Sequence, residues 1–97
     1  MMQHITLKDI DRWRVDNVDF QLIDVREPIE HQQKNIGGQL IPLDEIMQHL
    51  NVIELNKPVV VYCKRGIRSQ IAIQKLQRKL PQVDFYNLQG GIYSVIV

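Results

Sequence analysis

Apolar residues follow two alternating patterns along the chain, short continuous runs and longer segments with helical spacing. The clearest run is Val59–Tyr62, which is rich in β-branched residues and has the length of a fully buried strand. Residues 20–24 and 84–88 predict further strands, and Leu40-Ile41 predicts a brief extended piece. Because these runs alternate with helical segments, the pattern predicts an α/β fold with a central, mainly parallel sheet and helices on both faces.

Five helical segments separate or follow these runs. They are residues 6–14, 28–33, 44–50 and 68–80, and a short segment after Gly90-Gly91. Thr6 suits an N-cap and Pro28 suits the first position of a helix. The segment 68–80 is the most regular, with an apolar and a charged side. In the last segment we expect three side chains to pack on the core: Ile92, Val95 and Ile96.

Length and composition are those of one globular domain. The chain has 97 residues and a net charge of +1, so we expect residues 1–97 to form a single domain. The amino terminus has no basic leader before an apolar run, and the apolar runs are far shorter than the ~20 residues of a membrane helix. We therefore expect a cytoplasmic protein that does not bind membranes, and the near-neutral charge gives no overall attraction to nucleic acid.

Cys63 is the only cysteine in the chain. A lone cysteine excludes an intramolecular disulfide and any multi-cysteine metal or iron–sulfur site. Cys63 directly follows the predicted central strand, at the sheet edge where open α/β folds bind ligands. A free cysteine in such a place is either a small buried apolar residue or a nucleophile.

The loop after Cys63 favours the nucleophile. Backbone N–H groups converge in a turn of this kind, and the following helix adds the positive end of its dipole. Gly66 allows the loop to wind tightly, while Lys64, Arg65 and Arg68 add three cations. Together these features stabilise a thiolate and form a site for an anion.

Positive charge extends beyond this loop. Residues 55–83 contain no Asp or Glu but seven of the twelve Lys and Arg residues. Such a local excess attracts anionic substrates or an acidic partner surface. We interpret three of these residues only as the solvated side of the helix at 68–80: Lys75, Arg78 and Lys79.

Four segments carry motifs in a fixed order. Residues 22–30 read LIDVREPIE, 41–43 read IPL, 63–69 read CKRGIRS and 87–92 read NLQGGI. These segments resemble the D-V-R-E-P-x-E segment, the I-P-x turn, the C-x-x-G-x-R active-site loop and the L-x-G-G-I terminus of single-domain rhodaneses. Rhodaneses are sulfurtransferases that carry sulfur as a cysteine persulfide. The sequence before the I-P-x turn is more similar to rhodanese domains fused to adenylyltransferases of molybdopterin and thiamine biosynthesis, which suggests a sulfur-relay protein as partner.

The resemblance implies a rhodanese-like three-layer fold and a sulfur-transfer cycle on Cys63. The thiolate would take sulfur from a small anionic donor such as thiosulfate, or from a persulfide, and pass it to cyanide, a thiol or a partner protein, without a cofactor. Substrate would be bound by six loop residues: Lys64, Arg65, Gly66, Ile67, Arg68 and Ser69. Asp24 and Arg26, on the neighbouring strand, would either support this pocket or form a purely structural salt bridge.

Two other hypotheses remain open at this point. Cysteine phosphatases also set a thiolate and an arginine around an anion, but they place five residues between the two, where this chain has four. A rhodanese-like domain can also be a non-catalytic binding or sulfur-carrier module, although such modules commonly lose the cysteine. The three histidines have no metal-ligand spacing and are expected at the surface: His4, His31 and His49.

Overall fold

A five-stranded sheet forms the centre of the computed structural model, which describes residues 2–95. Its strands are β1 (Gln3–Ile5), β2 (Gln21–Asp24), β3 (Gln39–Leu40), β4 (Val59–Tyr62) and β5 (Phe85–Leu88). The strand order is β1-β5-β4-β2-β3, and every neighbouring pair is parallel. All carboxyl ends therefore meet at one edge of the sheet, and the predicted α/β fold is confirmed.

Within residues 2–95, three α-helices and three short 3₁₀ helices connect or follow the strands. The α-helices are α1 (Leu7–Val15), α2 (Pro28–Gln33) and α3 (Ile67–Lys79). The 3₁₀ helices are Ile46–Gln48, Leu50–Val52 and Ile92–Val95. Among the described residues, no helix has both the length and the apolar character needed to cross a membrane.

Both faces of β4 are covered, which explains its unbroken apolar sequence. Val59 and Val61 belong to a core cluster that includes Ile73 of α3. Val60 and Tyr62 belong to a second cluster, which includes Ile10 of α1. Successive side chains of a strand point to opposite faces, so the two clusters place helices on both sides of the sheet, as predicted.

The predicted start of two helices is confirmed in detail. The side chain of Thr6 accepts the Asp9 N–H at 3.2 Å, and the Asp9 carboxylate accepts the Thr6 N–H at 2.9 Å. This reciprocal pair is a capping box, which satisfies two N–H groups at the start of α1. Pro28 occupies the first position of α2, where its missing N–H costs nothing.

One expectation from the sequence is wrong, and one strand was missed. Residues 44–50 do not form one α-helix: a turn at 44–45 leads into the 3₁₀ helix Ile46–Gln48, and a second 3₁₀ helix begins at Leu50. Only Ile46 is fully buried in this segment, so there is too little apolar contact to offset the cost of starting a longer helix. Strand β1 was not predicted, since it is short and only Ile5 of its residues is buried.

The last expected helix is a 3₁₀ helix. Its first residue, Ile92, is buried as predicted and belongs to the core cluster on the α1 side. Ile96 and the side chain of Val95, which were expected to pack there too, lie outside the described part of the chain.

Candidate active site

Cys63 follows the last residue of β4 and is buried, with 1% of its surface exposed. Its Sγ accepts the backbone N–H groups of Gly66 and Ser69, at 3.1 and 3.3 Å. The hydroxyl of Ser69 lies 3.4 Å from the same sulfur. The loop thus closes around the thiol and presents donors to it, as an anion site requires.

Gly66 gives the loop its shape. Its φ of 94° lies in the left-handed region, which glycine enters without a steric penalty. Residue 66 is also the N-cap of α3, so the loop leads directly into a 13-residue helix. The first turn of that helix supplies the N–H of Ser69 to the sulfur, and its dipole favours negative charge there.

The segment after β5 holds the loop from the other side. The N–H of Ile92 donates to the Cys63 carbonyl at 2.9 Å, and the N–H of Tyr93 donates to the Lys64 carbonyl at 2.8 Å. A Cβ on Gly91 would lie 2.4 Å from the Lys64 carbonyl oxygen, far inside van der Waals contact. Glycine at position 91 therefore allows the chain to pass directly against the active-site loop.

Lys64, Arg65 and Ile67 lie at the mouth of the site. All three are exposed, and with Cys63 and Arg68 they line a cleft of about 390 Å³. The Arg65 guanidinium and the Lys64 ammonium lie 5.0 and 5.7 Å from the centre of the Tyr93 ring. Cation–π contact with Tyr93 therefore holds both charges at the entrance of the cleft.

Arg68 is held by Glu30, a residue that sequence reasoning did not select. The two carboxylate oxygens of Glu30 accept Nη1 and Nη2 of Arg68 at 2.7 and 2.9 Å. The hydrogen bond from Arg68 lowers the pKa of Glu30 to about 2 and, in the other direction, raises the pKa of Arg68. Glu30 is the last residue of the motif at 22–30, and this position in the motif could have identified it as a functional residue.

Asp24 and Arg26 form a buried ion pair at the carboxyl end of β2. Arg26 donates from Nε and Nη2 to the two Asp24 oxygens at 2.9 and 2.8 Å, and Nη2 also reaches the Lys34 carbonyl. Burial alone would raise the pKa of Asp24, but hydrogen bonds from Arg26 and His31 and the charge of Arg26 lower it. The pair fixes the loop between β2 and α2. In the described part of the chain, neither Asp24 nor Arg26 forms a hydrogen bond or an ion pair with Cys63.

His31, which the sequence predicts at the surface, is partly exposed there but has a buried partner. Its Nδ1 lies 2.8 Å from Asp24 Oδ2, and its side chain is only 25% exposed. Helix α2 begins four residues after Asp24, so it carries His31 back over the end of β2. This return is a tertiary feature that the spacing of the histidines along the chain does not reveal.

A polar contact behind the thiol was also not predicted. The Ser69 hydroxyl donates to Oδ1 of Asn87, a residue of β5 that is 1% exposed. The amide nitrogen of Asn87 lies 3.3 Å from Nδ1 of His4 on β1. These contacts fix the Ser69 side chain beside the sulfur and satisfy the polar atoms that are buried there.

The site offers one nucleophile and several donors for an anion. Among residues 2–95, no group of three or more His, Cys, Asp or Glu side chains could hold a metal ion. The buried sulfur, with its two backbone N–H donors, has the arrangement of a nucleophile that can attack an electrophilic atom of an anion in the cleft.

The chain is similar to known proteins over almost its entire length. A family model described as "Rhodanese-like domain" matches residues 6–96. Protein YqhL of Bacillus subtilis is 47% identical over 72 residues, which cover 73% of this chain and 56% of YqhL. The probable adenylyltransferase/sulfurtransferase MoeZ of Mycobacterium tuberculosis is 36% identical over 93 residues, which cover 93% of this chain but only 24% of MoeZ.

The fold has a close match among solved structures as well. The crystal structure of SSP1007 from Staphylococcus saprophyticus superposes with a TM-score of 0.86 at 29% identity. The match covers 96% of this chain and 92% of SSP1007. In contrast to YqhL and MoeZ, the structural neighbour therefore has nearly the same extent as this chain.

Proposed function

The chain belongs to the rhodanese-like domain family, and we propose that it is a sulfurtransferase in which Cys63 carries sulfur as a persulfide. One observation supports this most directly: the sulfur of Cys63 is buried at the carboxyl end of the central strand and accepts two backbone N–H groups. Donors aimed at sulfur stabilise the thiolate and so activate it as a nucleophile.

The first half-reaction loads the sulfur. The Cys63 thiolate attacks the outer sulfur of thiosulfate, a bond forms between the two sulfurs, and the S–S bond of thiosulfate breaks. The bonding electrons leave with sulfite, so the charge is conserved and Cys63 becomes a persulfide. Lys64 and Arg65 at the mouth attract the divalent donor, and Arg68 on the wall of the cleft is near the developing charge of sulfite.

Other backbone donors remain for the outer sulfur of the persulfide. No acceptor among the described residues pairs with the N–H groups of Arg65, Ile67 or Arg68. These groups belong to the active-site loop and the first turn of α3, whose other N–H donors reach Sγ. A terminal persulfide sulfur is an anion, and backbone N–H groups in a site of this kind stabilise it as an oxyanion hole stabilises oxygen.

The second half-reaction removes the sulfur. A nucleophile such as cyanide attacks the outer sulfur, the bond to Cys63 breaks, and its electrons return to Sγ as a thiolate. The products with cyanide are thiocyanate and the original enzyme. Since Cys63 is the only cysteine, no second thiol within the chain can discharge the persulfide as a disulfide.

Intact-protein mass spectrometry tests the proposal. After incubation with thiosulfate, the wild type should gain the mass of one sulfur atom, and cyanide should remove it. Cys63→Ser should gain nothing, whereas Val15→Cys would add an exposed thiol on α1, outside the cleft, and still show only one cyanide-labile sulfur. A wild type that acquires no sulfur from thiosulfate or from an organic persulfide, while it hydrolyses an aryl phosphate, would favour a phosphatase.

A turnover measurement distinguishes the sulfurtransferase from a non-catalytic binding or carrier module. A binding or carrier module would take sulfur from a single protein donor and would not produce thiocyanate repeatedly from thiosulfate and cyanide. We expect many turnovers per molecule for the wild type and none for Cys63→Ser. A stoichiometric burst without further product would instead indicate a sulfur carrier.

A further inference from the structure

A second cavity lies beside the cleft that contains Cys63. It has a volume of about 160 Å³ and is lined by Arg26, Glu30, Gln33, Lys34, Lys64 and Ile92. Lys64 lines both spaces, and Arg68 of the cleft is ion-paired with Glu30 of the second cavity. The two spaces therefore lie side by side, with Lys64 and the Arg68–Glu30 pair between them. We call the second space the side cavity.

The side cavity has an excess of positive charge. Glu30 contributes its only carboxylate, and both oxygens of that group are bound to the Arg68 guanidinium. Among residues 2–95, neither Lys34 nor Lys64 takes part in an ion pair. Lys34 and Lys64 therefore bring positive charge to the border of this space without an ion-pair partner among the described residues, and an anion there would be attracted to both.

Arg26 adds a cation from the interior. It is only 4% exposed, and its Nε and Nη2 are bound to Asp24 and to the Lys34 carbonyl. Nη1 has no acceptor among the described residues, although Arg26 lines the side cavity. A fixed guanidinium with an open N–H donor is well suited to a carboxylate, because the geometry is already in place.

We propose that the side cavity binds the carboxylate of a small organic thiol, and that this thiol accepts sulfur from Cys63. The inference rests on the proposed sulfurtransferase function and names the class of its acceptor. The volume of the side cavity corresponds to about five water molecules at ~30 Å³ each, which is enough for a carboxylate and one or two methylene groups. The thiol end would then extend past Lys64 toward the cleft.

The transfer step balances without another reactant. The thiol first loses its proton to solvent, and its sulfur attacks the outer sulfur of the persulfide. A new S–S bond forms in the acceptor while the bond between the outer sulfur and Sγ breaks. The electron pair returns to Cys63, so the products are the Cys63 thiolate and an organic persulfide.

Discharge kinetics test the side cavity. Protein is loaded from thiosulfate, freed of excess donor and mixed with β-mercaptopropionate, with its methyl ester or with cyanide. The rate of persulfide discharge is divided by the concentration of thiolate or of cyanide ion. The acid should discharge the persulfide about fivefold faster than the ester, the effect of one exposed ion pair. Added salt should reduce this preference, because it screens exposed charges.

Lys34 provides the decisive variant, since it lines the side cavity but not the cleft. Lys34→Gln should lose most of the preference for the acid and keep the wild-type rate with cyanide. Lys79→Gln, on the exposed side of α3, is the matched control. It should keep both the preference for the acid and the wild-type rate with cyanide. Equal rates for acid and ester in the wild type, or an unchanged preference in Lys34→Gln, would overturn the side cavity as a binding site, while discharge to cyanide would still support the sulfurtransferase.

A binding measurement separates the two proposals if no persulfide forms. β-(Methylthio)propionate has the carboxylate but no thiol, and its titration into ¹⁵N-labelled protein should shift the amide signals of Lys34, Lys64 and Ile92 saturably. The methyl ester should shift none of them, and Lys34→Gln should weaken the response to the acid. Saturable shifts without persulfide formation would retain the anion site and refute the sulfurtransferase, and the absence of shifts would refute the site itself.

Discussion

Glu30 and Arg68 form an ion pair with two hydrogen bonds, of 2.7 and 2.9 Å, although 38 residues separate them along the chain. Glu30 belongs to the first turn of α2, and Arg68 belongs to the first turn of α3, directly after the active-site loop. A two-point guanidinium–carboxylate pair fixes orientation as well as distance. The position of Arg68 at the cleft therefore depends on α2, which carries Glu30.

Glu30→Gln should lower the free energy of unfolding near neutral pH, and this difference from the wild type should disappear in acid. The folded-state pKa of Glu30 is about 2, against its ordinary value of 4.5, because Arg68 donates to it. Its contribution to the free energy of unfolding is thus fully present above pH 4.5 and is lost as the pH falls through about 2. Solvent partly reaches the pair, so we expect a loss of about 1 kcal/mol near neutral pH.

Urea unfolding of both proteins at several pH values measures this effect. The difference between wild type and Glu30→Gln should shrink steadily in the acid range. Asp11→Asn, which removes an exposed carboxylate of α1, should show little difference at any pH. A constant difference for Glu30→Gln across the range would mean that packing, and not the charge, explains the loss.

Arg68→Ala should slow the loading of Cys63 by thiosulfate about tenfold, which corresponds to ~1.4 kcal/mol of lost attraction in the transition state. Arg68→Lys keeps the charge but cannot form the two-point pair, so an intermediate rate is expected. Mass spectrometry of samples quenched at successive times gives the loading rates. Arg78→Ala, on the exposed side of the same helix, is the control and should load at the wild-type rate.

The slower loading of Arg68→Ala should come from lost attraction of thiosulfate and not from unfolding of the variant. Its free energy of unfolding should fall only by about 1 kcal/mol, as expected for a partly exposed pair. If the variant were unfolded, or if Arg78→Ala slowed equally, Arg68 would have no separate role at the cleft.

Gly91→Ala should disturb the active-site loop more than an ordinary glycine substitution. The new Cβ would meet the backbone of Lys64 and Arg65 at 2.4–2.6 Å, in addition to the strain of a φ of 64°. Gly37→Ala is the matched control, because its φ is 92° but its Cβ would meet only the end of the Arg14 side chain, at 3.9 Å. We expect a loss of about 1–2 kcal/mol for the control and more than ~3 kcal/mol for Gly91→Ala.

Thermal unfolding and persulfide loading distinguish the two glycine variants. Gly37→Ala should load sulfur normally, whereas Gly91→Ala should load slowly even at temperatures where it is folded. Equal stability of the two variants would show that the loop moves aside at little cost.

Asp24→Asn should be strongly destabilising, because it leaves the buried Arg26 guanidinium without its counter-charge. Removal of one partner from a buried ion pair typically costs about 3–5 kcal/mol. Asp16→Asn breaks an exposed pair with Arg12 and should change the free energy of unfolding by less than ~0.5 kcal/mol. Urea unfolding near neutral pH checks both values, and similar small losses would imply that water reaches Arg26.

The sequence predicted the parts of this fold that local pattern determines. Strand β4 has a continuous β-branched run because it is covered on both faces, and α3 has a regular apolar side. Thr6 and Pro28 marked helix starts through capping chemistry that acts within a few residues. The location of Cys63 at the carboxyl edge of the sheet followed from the strand–loop–helix order alone.

The missed features depend on contacts between distant segments. The pairing of Glu30 with Arg68 and of Ser69 with Asn87 arises only when the helices and β5 come together at the sheet edge. Strand β1 is defined by its parallel pairing with β5, at the opposite end of the chain. Neither kind of contact produces a periodic pattern in the sequence, so patterning could not identify these partners.

The two strands at the edges of the sheet, β1 and β3, have three and two residues. The outer side of such a short strand leaves few unpaired N–H and C=O groups for an incoming chain. Growth of the sheet by addition of another molecule is therefore unfavourable at both ends. The architecture that concentrates all chemistry at one end of the strands also protects the protein from aggregation along its sides.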